Sequence, residues 1–199
     1  MKAPLTSSRS SATAWATVRS GLKIPTGGGP VETVNTGTRI RNNNDHGISK
    51  DGSTIVISGA SGNLGRKITT EVLARLPAKQ LTLTTRTPDR LADLAARGVR
   101  VQAASYRDPA ALESAYQGAD TLMLISGLDV THRVPEHRNA IEAARRAGIR
   151  HIVYTSTAGI HPRNPTLSAS DHIVTEADLR ACGLGYTILR DATYAEVFP

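Results

Sequence analysis

Cysteine is almost missing from this chain. Its 199 residues hold one, Cys182, so no internal disulfide can staple the fold. Cys182 stands before Gly183 at an expected helix end and reads as a buried structural thiol. The six histidines are dispersed, and no Cys/His group has the spacing of metal ligands. Aromatic residues are only 4% of the total, too few to interleave with basic residues as a nucleic-acid surface requires. No apolar run approaches the ~18 residues that span a bilayer, and no secretory hydrophobic region is present. Acidic residues are in deficit, 17 against 24 Lys and Arg, for a formal net charge of +7. Much of that excess lies in residues 1–53, where seven basic residues face three acids and the one aromatic is Trp15. The expectation is a cytoplasmic protein that binds neither nucleic acid nor membrane.

Residues 1–53 carry no sustained period of 2 or 3.6. Gly27-Gly28-Gly29-Pro30 and Asn42-Asn43-Asn44-Asp45 are breakers, and the segment is expected to be a disordered basic tail. Its first 31 residues contain Lys2, Arg9, Arg19 and Lys23, five serines and no acid. That composition is also found in organellar transit peptides; without a clear amphipathic helix, a leader of no targeting function is the reading adopted.

From Thr54 onward, strands and helices alternate. Thr54–Ser58, Leu81–Thr85, Arg100–Ala104, Thr121–Ile125, His151–Thr155 and Tyr186–Leu189 read as strands. Arg66–Leu76, Asp89–Arg97, Pro109–Gln117, Pro135–Ala147 and Ser168–Ala181 read as helices, with Asp108 the N-cap of the third. Parallel strands with right-handed crossovers predict a doubly wound α/β sheet over 54–199, in the order 3-2-1-4-5-6.

The densest signal is Ile57-Ser-Gly-Ala-Ser-Gly-Asn-Leu-Gly65, a β-branched strand running into three glycines spaced three apart and then a helix. Such a turn lets a pyrophosphate approach the main chain and meet free N–H groups at the helix start. Gly59, Ser61, Gly62, Asn63, Leu64 and Gly65 are the expected phosphate contacts. An NAD site usually ends its second strand in Asp or Glu, to hold the ribose 2′-hydroxyl. Between Pro77 and Pro88 there is no acid, and Arg86 stands there instead, with Thr85 and Thr87 beside it. A guanidinium grips a 2′-phosphate, so NADP(H) is the expected cofactor. Ligands in such sheets lie beyond the carboxyl ends of the strands. Ser105 and Tyr106 then fall near the adenine, Ile125, Ser126 and Gly127 along the middle, and Thr155, Ser156 and Thr157 beside the nicotinamide. Each of these hydroxyls serves equally well as a strand-end cap.

The glycine turn resembles that of the NmrA-like branch of the atypical short-chain dehydrogenases. So do Arg86-Thr-Pro88, Leu122-Met-Leu-Ile-Ser-Gly127, His137-Arg-Asn139, Ile152-Val-Tyr-Thr-Ser156, Asp171-His172 with Glu176, and Tyr186-Thr-Ile-Leu-Arg190. Within the branch the chain is most similar to type-2 NAD(P)H:quinone oxidoreductases and triphenylmethane-dye reductases. The resemblance runs from about Thr54 to Phe198 and covers the cofactor-binding part, so the substrate lobe is expected to be missing through C-terminal truncation. Members usually carry an acid where Ser105 stands, which sets this chain apart. Ordinary short-chain dehydrogenases use Tyr-x-x-x-Lys, and no such pattern occurs here. Counting back from Glu176, His172 takes the lysine position and Ser168 the tyrosine position. What the resemblance implies is hydride transfer to a quinone or similar small conjugated acceptor, with His172 orienting the ribose or donating a proton. Tyr194 and Phe198 are candidates to stack on a flat acceptor. The same residues fit two other roles: a non-catalytic NADP-binding redox sensor, or an inactive remnant. Oligomeric state is not legible.

Overall fold

The computed structural model of the chain describes residues 15–18, 22–25, 32–33, 54–164 and 166–191. Two units are separated, residues 1–46 and 47–199. In the first, β1 (Trp15–Val18), β2 (Leu22–Pro25) and β3 (Glu32–Thr33) form an antiparallel sheet in that order. No strand is expected there from the sequence, because four-residue segments are too short to display a period. The remainder of the expected disordered tail lies outside the described residues.

The second unit is built on a six-stranded parallel sheet. Its strands are β4 (Ile55–Ser58), β5 (Leu81–Thr85), β6 (Arg100–Ala103), β7 (Thr121–Leu124), β8 (His151–Thr157) and β9 (Gly185–Asp191). The spatial order β6-β5-β4-β7-β8-β9 is the expected 3-2-1-4-5-6 of a Rossmann-type sheet. The helices are α1 (Asn63–Leu73), α2 (Ala92–Ala95), α3 (Pro109–Tyr116), α4 (Arg133–Arg146) and α5 (Leu167–Ala181).

Alternation along the strands sorts the core into two layers. Ile55 and Ile57 of β4 and Met123 of β7 pack with Val72 of α1 and Leu94 of α2. Val56, Leu122, Leu124 and Tyr154 point the other way, onto Leu112 and Tyr116 of α3, Ala140 of α4 and Leu179 of α5. Both faces are therefore covered, which explains why β4 and β7 read as continuous apolar runs.

Two boundaries differ from expectation. The helix expected over Asp89–Arg97 is a 3-10 turn, Pro88–Leu91, followed by the single turn of α2. The Arg66 guanidinium bonds the Arg90 carbonyl there and pairs with Asp93. That carbonyl is thereby partly drawn from the ladder a regular helix would need. Helix α4 begins two residues before Pro135, within the first turn, where a missing N–H costs nothing. At the amino ends of the strands Asp120 ties three together. Its carboxylate accepts from Thr54 N at 2.8 Å and from the Arg150 guanidinium at 2.6 Å. Its carbonyl accepts from the Arg150 and His151 amides. Among the described residues no helix is long and apolar enough to cross a membrane.

Candidate functional site

Beyond the carboxyl ends of the strands lies one cleft of about 1000 Å³. It is lined by the turn residues Gly59, Ser61, Gly62, Asn63, Leu64 and Gly65; Thr85 and Arg86 at the end of β5; Ser105 and Tyr106 after β6; Ile125, Ser126 and Gly127 after β7; Thr155, Ser156 and Thr157 of β8; and His172 of α5, whereas Thr87, beside Arg86, does not line it. Sequence distances of up to 113 residues thus close onto one groove, because the parallel sheet gathers all its carboxyl ends on one side.

The three glycines have separate jobs. Gly59 takes φ +71, a left-handed conformation that turns the chain out of β4. A β-carbon on Gly65 would lie 2.4 Å from the Gly59 carbonyl oxygen, so this glycine lets α1 press against the turn. Gly62 has φ −77 and ψ 167 as the N-cap of α1, and nothing of the protein comes closer than 3.5 Å to its missing β-carbon. Neither conformation nor packing demands glycine at position 62. Its bareness leaves an open cradle of backbone at a helix N-terminus, which fits a pyrophosphate.

Around that turn the hydroxyls are already engaged. Ser61 Oγ lies 2.7 Å from Thr85 Oγ1, which also accepts from the Thr87 amide at 3.1 Å. Thr85 is 4% exposed, and its hydroxyl ties the turn to β5. Arg86 is exposed and forms no hydrogen bond or ion pair with the described residues. Arg90, one turn on, lines the same end of the cleft. Tyr106 faces the cleft with its ring, but its hydroxyl is 2.7 Å from both Ser58 Oγ and the Ile125 carbonyl. Ser105 Oγ accepts from the Arg107 amide at 3.2 Å, closing its own turn.

At the other end, the Gly127 peptide is clamped on both sides. Its N–H donates to His137 Nε2 at 3.2 Å, and its carbonyl accepts from Arg133 Nε at 2.7 Å. Thr155 Oγ1 accepts from the Ser126 amide at 2.9 Å, while Ser156 Oγ donates to Glu176 at 2.8 Å. Thr157 Oγ1 reaches the Asp191 carbonyl at 3.5 Å. All three expected nicotinamide-side hydroxyls therefore build the wall. Glu176 is 2% exposed and also receives Arg190 through two nitrogens and Arg180 at 2.8 Å. Burial pushes its carboxyl up, but Arg190, Arg180 and Ser156 outweigh that and hold it at about 2.

His172 is 5% exposed and its Nδ1 lies 2.6 Å from the hydroxyl of Tyr154, a residue with no exposure that does not line the cleft. Burial, and then the charge of Arg133, bring His172 down to about 4, with Glu176 opposing weakly. The same two causes bring His137 to about 3. Both causes favour the neutral imidazole over the imidazolium.

Two site features escaped sequence reading. Arg133 is a guanidinium only 5% exposed, bonded to Gly127, to Ser168 Oγ at 3.2 Å and to Asp171 at 3.5 Å. Arg107 ties the loop after β6 to α4 through Glu136 at 2.6 Å and to the loop after β7 through Asp129 at 3.0 Å. Both lie on segments whose arginines look like ordinary surface charges, and only the topology brings them to the groove. Asn139 was visible within its motif, and its amide fixes the Tyr106 carbonyl at 2.9 Å. Cys182 is half-buried, with its thiol on the Leu179 carbonyl at 3.1 Å. Tyr194 and Phe198 lie outside the described residues.

Known proteins share this arrangement. The chain is 43% identical over 143 residues to quinone oxidoreductase 2 of Escherichia coli strain K12, covering 71% of this chain and 49% of that protein. It is 31% identical over 150 residues to an NmrA-like family domain-containing oxidoreductase of Aspergillus flavus, covering 72% and 49%. Among solved structures, the Escherichia coli NADPH-dependent quinone oxidoreductase complexed with NADPH superposes with a TM-score of 0.68 at 42% identity, over 72% of this chain and 50% of that one. The Citrobacter triphenylmethane reductase complexed with NADP(H) gives 0.69 at 35% identity, over 73% and 51%. The chain spans about half the length of the curated relatives it matches. A family model described as NAD(P)H-binding matches residues 59–196, and the chain belongs to this NAD(P)H-binding family.

Proposed function

We propose that the chain is the cofactor-binding part of an NADPH-dependent reductase that passes hydride to a quinone or a similar conjugated acceptor. The bound dinucleotide supplies the hydride. In this reading the bare backbone around Gly62 and the amides of Asn63 and Leu64 hold the pyrophosphate, and Arg86 takes the 2′-phosphate. The Gly127 peptide, fixed by His137 and Arg133, borders the reactive end together with His172 and Ser168.

The observation that carries the reading is the kind of proton donor the cleft lacks. Among the described residues no lysine lines it, and the one tyrosine there, Tyr106, has its hydroxyl bonded into the sheet. Reduction of a simple carbonyl needs a positioned acid, worth about 10²–10⁴-fold. A quinone spreads the incoming negative charge over its ring and takes its proton from water afterwards. The relatives named quinone oxidoreductase and triphenylmethane reductase support an acceptor of this class.

NADPH consumption by the chain with and without a small quinone tests the proposal. Acceptor-dependent oxidation is the expected result. Tight NADPH binding with no oxidation would favour a redox sensor instead, and no binding would leave an inactive remnant.

A further inference from the structure

Four arginines among the described residues line the cleft, and one of them is buried. Arg86 and Arg90 stand exposed at the end beyond β5, and Arg107 is committed to Glu136 and Asp129. Arg133, at the other end, keeps only 6% of its side chain exposed. Its Nε donates to the Gly127 carbonyl at 2.7 Å, and its Nη1 to Ser168 Oγ at 3.2 Å and to Asp171 at 3.5 Å. A guanidinium carries five N–H donors, so Nη2 keeps two that meet no acceptor among the described residues. The one fully enclosed side-chain atom without a partner among those residues is the Tyr116 hydroxyl. Nη2 is therefore not walled in, and the side chain opens on the cleft. Stability does not explain this placement. Arg133 is the first residue of α4, where the helix dipole repels a cation. Ser168 sits in the first turn of α5, so the positive ends of two helices meet beside the guanidinium. Against them stands one carboxylate, Asp171, at 3.5 Å, longer than a good charge-assisted hydrogen bond. The neighbouring rings feel the excess: after burial, the charge of Arg133 is what most lowers His137 and His172.

We propose that Arg133 is a catalytic residue of the reduction, its Nη2 stabilising the negative charge that forms on an acceptor oxygen as hydride arrives. The proposal deepens the reductase reading and rests on it. A quinone accepting hydride gains two electrons and one hydrogen while the nicotinamide is oxidised, and one quinone oxygen is left as an anion. A proton from water then completes the hydroquinone. The anion exists only once the electrons have moved, so a cation aimed at it favours the transition state over the bound quinone. Burial strengthens the effect, because little water screens the charge. The cofactor's own anions are provided for elsewhere, the pyrophosphate on the glycine turn and the 2′-phosphate on Arg86. What remains for a buried cation at the reactive end is an anion made by the reaction. The same residue accounts for a cleft that works without a positioned proton donor, since a stabilised oxyanion can wait for solvent.

The phenol 4-nitrophenol mimics the hydroquinone anion and reports its own ionisation by absorbance. Titrated against the full chain with excess NADP+, it should bind as the phenolate, its ionisation displaced to lower pH than in free solution. Arg133→Gln should abolish that displacement, and Arg133→Lys, which keeps the charge, should retain most of it. Asp171→Asn leaves the guanidinium but removes the opposing carboxylate, and should tighten phenolate binding several-fold; this arm needs no Arg133 variant to fold. With a small quinone, Arg133→Gln should lose about 10²–10³-fold in kcat, as for other oxyanion donors, while NADPH affinity stays close to that of the parent. A phenol that fails to bind, or binds without favouring its anion, would overturn the proposal. So would an Asp171→Asn chain with unchanged phenolate affinity, or an Arg133→Gln chain that loses turnover while the ionisation of the bound phenol stays displaced. An Arg133→Gln chain that loses NADPH affinity in place of kcat would also overturn it, and would put the guanidinium on a cofactor phosphate. A phenolate preference that depends on Arg133, in a chain that oxidises no NADPH with any quinone, would undo the reductase reading and leave the anion site standing.

Discussion

Alanine at Gly62 and at Gly65 should separate what the ligand requires from what the fold requires. A β-carbon at position 65 would sit 2.4 Å from the Gly59 carbonyl oxygen and 2.7 Å from Ala60 Cα. These are backbone atoms with no rotamer to yield, so α1 would have to retreat by about 1 Å to regain ordinary contact. Overpacking of this kind costs about 1–3 kcal/mol, and the displaced main chain puts Gly65→Ala near the upper end. Gly62 gives a different sum. Its β-carbon meets nothing within 3.5 Å, and φ −77 with ψ 167 suits any residue. Stiffening the unfolded chain stabilises by about 0.4–1 kcal/mol. Alanine is a poorer N-cap than glycine by a similar amount, so the two terms nearly cancel and Gly62→Ala should stay within about 0.5 kcal/mol of the parent. Its loss should appear in the ligand. A methyl on the cradle should weaken NADPH at least tenfold. At a concentration of about 100 Kd, the parent gains ~2.7 kcal/mol from NADPH, and the variant should gain ~1.4 kcal/mol or less. Urea unfolding with and without NADPH measures all three quantities. A Gly62→Ala chain stabilised by NADPH as strongly as its parent would refute the assignment of this turn to the pyrophosphate.

Arg86→Ala should weaken NADPH by about 1.5–3 kcal/mol, as for a hydrogen bond to a charged group, and leave NADH nearly unchanged. Equal losses in the two titrations would remove the 2′-phosphate from this residue. Acid should destabilise the chain early, because His137 and His172 have native values of about 3 and 4 against 6.5 when unperturbed. The unfolded chain takes up those protons first, so stability is full above about pH 6.5 and falls as pH drops towards the native values. Glu176, held at about 2, extends the loss at lower pH. His137→Gln should flatten the slope between about pH 6 and 4 by roughly one proton; urea midpoints that do not move with pH in that range would contradict the burial of these rings. Tyr116→Phe should be neutral or stabilising, because the Tyr116 hydroxyl is buried without a hydrogen-bond partner. A fall in melting temperature would mean that this hydroxyl is satisfied after all.

Strand order and cleft position were legible because they follow from hydrophobic period and from glycine placement. Asp108 was readable as a cap, and its carboxylate does accept from the Ala111 amide at 3.0 Å. What stayed hidden depends on tertiary pairing. Nothing local distinguishes the buried Arg133 from the exposed Arg138, five residues along the same helix. Likewise Thr155 and Ser156 read as ligand hydroxyls or caps with equal ease until their partners, the Ser126 amide and Glu176, come into view. The 3-10 turn at Pro88–Leu91 is met by Arg66, a side chain more than twenty residues away, which no window of local propensity includes.

The central place of β4 has a consequence for how the chain must fold. β4 finds β5 across a short crossover, and β5 finds β6 across a shorter one. Its other neighbour, β7, is far off in sequence: Thr54 and Asp120, which join the two strands, are 66 residues apart. Closing that loop is entropically the costlier event, so the β4-β5-β6 half should form first and the β7-β8-β9 half should dock late, along one seam. The groove straddles this seam, with the glycine turn on one bank and Gly127 on the other. It exists only after docking, so a dinucleotide should slow unfolding while hardly speeding folding. Asp120, at the far end of the strands from the groove, closes the same seam through its bond to the Thr54 amide.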